Sequence, residues 1–551
     1  MKKLVRMFFG MLLVIVLAVA GIGGFFLYQK YLPSKEEADL EELFGCSGND
    51  VALVLNEEIQ ETKGLYIEGQ TYLPITWVNK YLNERFYWDS NEKLLVYTLP
   101  DMITYANAST KGSADKPLLY ERDDDVYLAL GLVVNYTDIR IESFDGEEIK
   151  RVYIWNTWKP EQTASLKKDG KLRTKGGIKS PIVQNVLQGC KVKILKSMEK
   201  WSYVQTETGF LGYIENRKLT EAVEEVPKSS FTAPVYQSTS MDERVCLVWH
   251  QVTAPIANEK FDSLIAETKG VNVVSPTWFA LTDNEGNFNS LASKEYVKKA
   301  HELGIQVWAL LDNFSKDVQT EVLLAKTSTR KKLIAALMEK VHEYDLDGLN
   351  LDFESLKKSA GPHYIQFIRE LSVSCRKEGI ILSVDNYVPA AHTEFYNRKE
   401  QGIVADYVII MGYDEHYAGG EMGSVASLPY VKKGIQDTLA VVPKEKLING
   451  VPFYTRLWKV TGDETKSSAL GISAAKAWIE ENEVELSWDS ELGQYYGELL
   501  GEETNQYIWL EEERSLKLKK DLIDHYDLAG VACWKLGLES EDVWDVMNNE
   551  K

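Results

Sequence analysis

Between residues 241 and 551, eight short apolar runs alternate with amphipathic stretches, and this alternation restricts the fold more than any other feature of the chain. The runs cover residues 245–249, 271–275, 305–311, 348–353, 380–384, 407–411, 447–451 and 530–534. Each is too short for a core helix and apolar enough for a strand buried on both faces. Between them lie helical stripes such as Leu333, Leu337 and Val341 flanked by Ile334 and Met338, and Ile365, Ile368 and Leu371. Eight strand–helix steps predict an α/β fold, a (β/α)8 TIM barrel over residues 241–551, with its chemistry at the carboxyl ends of the strands. Residues 457–509 are too many for a simple crossover and are expected to form an insertion over the cleft.

The barrel accounts for little more than half of 551 residues, so smaller units must precede it. Lys2, Lys3 and Arg6 lead into an apolar run from Met7 to Tyr28, long enough to cross a bilayer core of about 30 Å. Residues 1–30 are therefore expected to be a transmembrane anchor. The basic flank would stay inside and the remainder of the chain outside the cell. The alternative is a signal peptide cleaved after Ala18-Val19-Ala20, which would leave a secreted protein. Residues 44–156 form a small α+β domain that repeats itself at about 55 residues. Tyr72-Leu73-Pro74 leads to Phe86-Tyr87-Trp88-Asp89, as Tyr127-Leu128-Ala129 leads to Ile141-Glu142-Ser143-Phe144. Residues 165–220 are a second β-rich domain, with strand-like 192–195, 201–204 and 212–214 and turns at Gly189 and Gly209. Residues 221–240, rich in Glu, Ser and Pro, are a linker.

Composition excludes several functions. With 62 basic against 83 acidic residues the net charge is −21, which argues against nucleic acid as a partner, since phosphate binding needs clustered Lys and Arg. The five cysteines are scattered and odd in number, so they specify neither a disulfide framework nor a zinc site. The seven histidines lack metal-ligand spacing, and no metal or cofactor is expected.

The chemistry concentrates in Asp347-Gly348-Leu349-Asn350-Leu351-Asp352-Phe353-Glu354. Strand periodicity puts Asn350, Asp352 and Glu354 on one face and Leu349, Leu351 and Phe353 on the other. Helices cover the outer face of a parallel barrel, so the polar set should point inward. Crowded, dehydrated carboxyl groups raise one another's pKa, which a general acid working near neutral pH requires. Trp278, Asn313, Tyr387 and Tyr454, each just beyond a predicted strand, are further candidates for the cleft wall.

The octapeptide resembles the DGxDxDxE signature of glycoside hydrolase family 18, with Asn350 at the tolerated position. Met411-Gly412-Tyr413-Asp414 is similar to that family's MxYD motif, and Trp534 to the tryptophan that closes its eighth strand. The resemblance covers about residues 241–548. It implies a retaining, substrate-assisted glycosidase acting beside an N-acetylated amino sugar. Glu354 would be the proton donor, Asp352 the partner of the acetamido N–H, and Tyr413 the donor to the acetamido carbonyl. Asp414 would contact the sugar and Trp534 would be the subsite floor. The third strand ends Leu310-Leu311-Asp312-Asn313 rather than in the SxGG of many chitinases, which points to the spore-germination and cell-wall branch. The expected partner is thus an N-acetylated amino-sugar polymer of the cell wall, peptidoglycan first. A chitinase, an endo-N-acetylglucosaminidase or a non-catalytic chitinase-like lectin are the alternatives. Asn350 in place of an acid leaves Asp352 without an ionisable partner on that side. The 44–156 region also resembles a copper-amine-oxidase N-terminal-like repeat, without implying copper, and 165–220 resembles a bacterial SH3-like domain.

Overall fold

The computed structural model describes residues 2–112, 115–122 and 125–548. The final three positions of the expected barrel segment, the first residue of the expected anchor and four positions inside the 44–156 repeat lie outside these. The chain divides into two compact units, residues 1–86 with 106–233 and residues 87–105 with 234–551.

In the second unit, eight parallel strands close on themselves: β1 (Val245–His250), β2 (Val273–Pro276), β3 (Gln306–Asp312), β4 (Gly348–Asp352), β5 (Ile381–Tyr387), β6 (Tyr407–Met411), β7 (Leu447–Pro452) and β8 (Gly530–Trp534). Each strand pairs with the next, and β8 returns to β1 through Val245↔Gly530 and Val248↔Cys533. The expected TIM barrel is therefore present, with every predicted strand in place and boundaries shifted by no more than a few residues. The outward Leu349 and Leu351 of β4, and Phe353 just beyond it, are buried. Phe353 stacks on Tyr364 of the following helix, Gly361–Glu378, at 5.4 Å between ring centres. A short hairpin, Phe279–Leu281 with Phe288–Ser290, joins the rim beside β3.

Between β7 and β8 stands a five-stranded antiparallel sheet (Tyr454–Thr461, Glu464–Gly471, Leu486–Asp489, Gln494–Leu499, Thr504–Leu510) with the helix Ile472–Glu481. None of residues 457–509 lines the cavity at the barrel mouth, so the insertion does not roof the cleft as expected. Its contribution comes from its first strand, through Tyr454 and Arg456.

The second unit also contains residues 87–105. The hairpin Tyr87–Asp89 with Leu94–Thr98 packs on the helices that follow β3 and β4. Buried Asp89 accepts from the backbone N–H and hydroxyl of Thr327, at 2.6 and 2.7 Å, and so caps the helix Thr327–Tyr344, whose own N-cap residue Lys326 offers no side-chain bond. Tyr87 meets His363 Nδ1 at 2.7 Å and accepts from Arg330, whose guanidinium is paired with Glu370 in full burial.

The first unit carries the 30-residue helix Lys2–Tyr31, long and apolar enough to cross a membrane and with no buried residue. Two seven-stranded sheets follow. The internal repeat is visible: strand Gln70–Pro74 with helix Ile75–Tyr81, then strand Asp125–Ala129 with helix Leu130–Tyr136. The two hairpins that follow them differ in fate. The second, Arg140–Phe144 with Lys150–Trp155, joins the first sheet beside Asp50–Leu55, whereas the first groups with the barrel. Residues 221–240 are not linker throughout, because Val223–Glu225 adds an edge strand to the second sheet.

Candidate active site

A cavity of about 820 Å³ opens at the carboxyl ends of the barrel strands. Asp352, Glu354, Tyr387, Tyr413, Asp414, Trp278 and Trp534 all line it.

The strand supporting the acids is held close to its neighbours. A side chain at Gly348 would place Cβ 2.8 Å from the Trp308 ring and 2.9 Å from the Ile381 carbonyl, so only glycine fits there. Asp347 ties the base of β4 to β3 by accepting from Val307 N at 2.8 Å and meeting His301 Nε2 at 2.8 Å. Past β4 the chain turns through Ser355 at φ 52°, and past β6 through Asp414 at φ 56°. Non-glycine residues are uncommon in that left-handed region, and both turns fall at the site.

Glu354 is half-buried, and the Tyr387 hydroxyl donates to its Oε2 at 2.7 Å. Its backbone is clamped by Asn313, which accepts from Glu354 N at 2.9 Å and donates to Glu354 O at 3.0 Å. Burial raises its pKa, the Tyr387 bond opposes the rise, and Asp414 and Asp312 add to it. Asp352 is more deeply placed. Dehydration holds its pKa well above the ordinary carboxylate range, reinforced by Asp385, Glu354 and Asp312. Its Oδ1 is buried and has no hydrogen-bond partner. Tyr413 is buried, and dehydration with the surrounding carboxyl groups holds its hydroxyl protonated far above its usual range. Asp414 is fixed from the insertion, by the Tyr454 hydroxyl at 2.6 Å and Arg456 at 3.6 Å.

Three of the expected contact residues do not reach the cavity. Asn350 lies beneath it, fully buried, accepting from Trp249 Nε1 at 2.9 Å and Ser275 Oγ at 3.0 Å and donating to Asp385 at 2.8 Å. Asn313 spends its amide on the Glu354 backbone and on Thr320, and Tyr454 spends its hydroxyl on Asp414. These three support the lining and are not part of it. Trp278 is in the wall, but its indole N–H is taken by Asn258 at 2.9 Å, so it offers only ring surface.

The structure also brings in residues that sequence reasoning missed. Trp249, next to last in β1, meets Trp534 at 5.8 Å and Tyr413 at 6.5 Å between ring centres, joining the floor to the tyrosine. Asp312 at the end of β3 and Asp385 near the end of β5 complete an inward ring of acids with Asp352 and Glu354. Asp312 closes a strand that is apolar from Val307 to Leu311, whereas Asp385 sits inside β5, ahead of Asn386 and Tyr387.

Comparison with known proteins agrees with this geometry. Residues 279–539 match the model of the glycosyl hydrolases family 18. The uncharacterized glycosylase YvbX of Bacillus subtilis is 27% identical over 302 residues, covering 52% of this chain and 86% of YvbX. The cortical fragment-lytic enzyme of Bacillus anthracis is 27% identical over 245 residues, covering 43% of this chain and 56% of the enzyme. The chain thus spans about half the length of that relative. The fold is shared with the spore cortex-lytic enzyme SleL of Bacillus cereus (TM-score 0.51, 19% identity, 59% of this chain and 78% of that one). It is shared too with a chitinase from Chromobacterium violaceum (TM-score 0.50, 20% identity, 55% of this chain and 98% of that one). A closed parallel barrel, acids at the end of its fourth strand and a family match that runs from β3 to β8 lead to one conclusion: residues 279–539 form a domain that is similar to the glycosyl hydrolases family 18.

Proposed function

We propose that this protein cleaves β-1,4 bonds next to N-acetylglucosamine in peptidoglycan, with retention, using the acetamido group of the substrate as nucleophile. The observation that carries this reading is the orphaned Oδ1 of Asp352 beside Glu354 at the cavity floor. A buried acceptor without a donor is costly, and an acetamido N–H entering the cavity supplies one. With that N–H held by Asp352 and the acetamido carbonyl held by Tyr413, the carbonyl oxygen faces the anomeric carbon. Glu354, whose pKa burial raises, in its acid form gives its proton to the departing glycosidic oxygen as the acetamido oxygen bonds to that carbon. The resulting carboxylate of Glu354 then takes a proton from water, which opens the oxazolinium ring and restores the acid. This route is one of the exceptions to the two-carboxylate scheme. Trp534 offers a flat ring to the sugar, and Asp414 is placed for its hydroxyls.

Peptidoglycan is favoured over chitin because the curated relatives include cortical fragment-lytic enzymes and because the third strand ends in Asp312-Asn313. On this reading Lys2–Tyr31 anchors the protein, its basic flank inside and the barrel outside, next to a polymer that cannot diffuse. The test is direct. The protein from residue 41 onward and its Glu354→Gln variant are incubated with N-acetylated peptidoglycan and with chitooligosaccharides, and products are identified by mass. Cleavage of peptidoglycan by the wild type alone is expected. Cleavage of chitooligosaccharides alone moves the assignment to a chitinase, binding without cleavage moves it to a lectin, and a fully active glutamine variant refutes the mechanism.

A further inference from the structure

Asp385 is 2% exposed, lines the cavity and belongs to none of the motifs that identify the family. Its neighbour in the next strand is Asp352. The parallel register pairs Asn350 with Ser383 and Leu351 with Val384, so one step further along brings the two aspartates side by side on the inward face. Asn350 links them to the barrel interior, and its orientation is settled. Trp249 Nε1 can only donate, so the Asn350 atom facing it is oxygen, and the amide nitrogen is the atom 2.8 Å from Asp385 Oδ1. The acid expected at position 350 would set two carboxylates against each other at that distance. In this chain the amide occupies that place, and the acid stands across from it on β5.

The groups facing Asp385 are Asn350, Asp352 and Glu354 of β4 and its end, Trp249 of β1, Tyr413 beyond β6 and Tyr364 of the helix Gly361–Glu378. None is a cation. Two buried negative charges on adjoining strands without a cation are unfavourable, and the less costly state keeps one proton between them. Burial accordingly pushes the Asp385 carboxyl up to about 8, with Glu354 adding to the rise and Asn350 opposing it. The pair titrates as a unit.

We propose that Asp385 is a positioning residue which stands in for the acid missing at position 350: it and Asp352 hold one proton between them, keeping Asp352 turned toward the acetamido N–H. Loss of that proton leaves two adjoining charges, and repulsion swings Asp352 away from the ligand. The inference rests on the functional reading above for its ligand, but not for its proton.

Three measurements test it. In the Glu354→Gln background, where that group no longer titrates, affinity for a chitooligosaccharide should fall about tenfold as pH rises through about 8, and adding Asp385→Asn should make it flat. Thermal unfolding judges the shared proton without any ligand. The folded carboxyl pKa lies above its unfolded value of about 3.9, so its contribution to stability is complete below that pH and is lost as pH rises through about 8. Relative to wild type, Asp385→Asn should therefore melt progressively higher from pH 5 to pH 8.5. Finally, Asn350→Asp should lose at least about tenfold in activity at pH 7, and the exchanged pair Asn350→Asp with Asp385→Asn should recover most of it. The exchange remains informative should the single Asp385 variant not fold. Unchanged pH dependence of both binding and melting in Asp385→Asn, or an exchange no better than Asn350→Asp alone, overturns the proposal. If wild type cleaves no amino-sugar polymer, the functional reading fails, while the melting curves still decide the proton.

Discussion

The Tyr387 hydroxyl both holds Glu354 in place and lowers its pKa, and it also accepts from Ser355 N at 3.1 Å. Tyr387→Phe removes a donor to the charged form of Glu354, so the carboxyl pKa must rise and the acid form must persist to higher pH. We expect the alkaline limb of the activity profile to move upward while kcat at pH 7 falls about tenfold from lost orientation, both read from a kcat–pH series. Asn313→Ala acts differently. It releases the backbone of Glu354 without touching the carboxyl, so kcat should drop with the limb nearly unmoved. The sequence marked both residues only as places just beyond a strand. That Asn313 faces backbone and Tyr387 faces the acid depends on how β3, β4 and β5 lie together.

At the level of elements, the barrel is closed by β8 against β1, and the closest approach is at Gly530. A Cβ there would lie 2.1 Å from the Val245 carbonyl oxygen, a backbone atom that cannot turn aside. Gly530→Ala should cost more than about 3 kcal/mol in denaturant unfolding or prevent folding altogether. The helix Thr327–Tyr344 is started by Asp89, distant in sequence, which satisfies the Thr327 N–H and hydroxyl while bonding Asn91 and Glu92 in its own turn. Asp89→Ala leaves these donors buried and unpaired, and a loss of about 2–3 kcal/mol of barrel stability is expected from the same measurement. The sequence shows Asp89 at the end of a repeated motif and a helical stripe through Leu333, Leu337 and Val341. It has no means of relating them, because local periodicity carries no information about which remote segment caps which helix.

For the molecule as a whole, the hairpin of residues 87–105 shows that the repeat does not behave as one domain. Its second copy completes a sheet, whereas the first is packed into the barrel unit through Tyr87, Asp89 and a bond from Gln366 to Thr98 at 3.1 Å. A protein beginning at residue 234 should therefore melt several degrees below the protein from residue 41 onward, since it exposes Arg330 and Glu370 beneath the missing hairpin. If Lys2–Tyr31 is an anchor as proposed, deleting residues 2–31 should move the protein from the membrane fraction to the soluble one with its activity intact, as seen by fractionation and the product assay. Residues released from the membrane without that deletion would indicate cleavage of the helix.

Much of this protein was legible in one dimension. Eight apolar runs alternating with helical stripes determined a parallel barrel, because strand and helix each leave their own period in the order of side chains. The inward set Asn350, Asp352 and Glu354 followed from the same period, since alternation on a strand is local geometry. Tertiary structure alone decided which acids meet: Asp385 and Asp312 are single residues at the ends of strands remote in sequence, and only barrel closure turns them into neighbours of Asp352. It also decided that Asn350, Asn313 and Tyr454 serve the lining from behind, and that a hairpin from the amino-terminal repeat starts a barrel helix. Those outcomes depend on distances across the fold, which no spacing along the chain encodes.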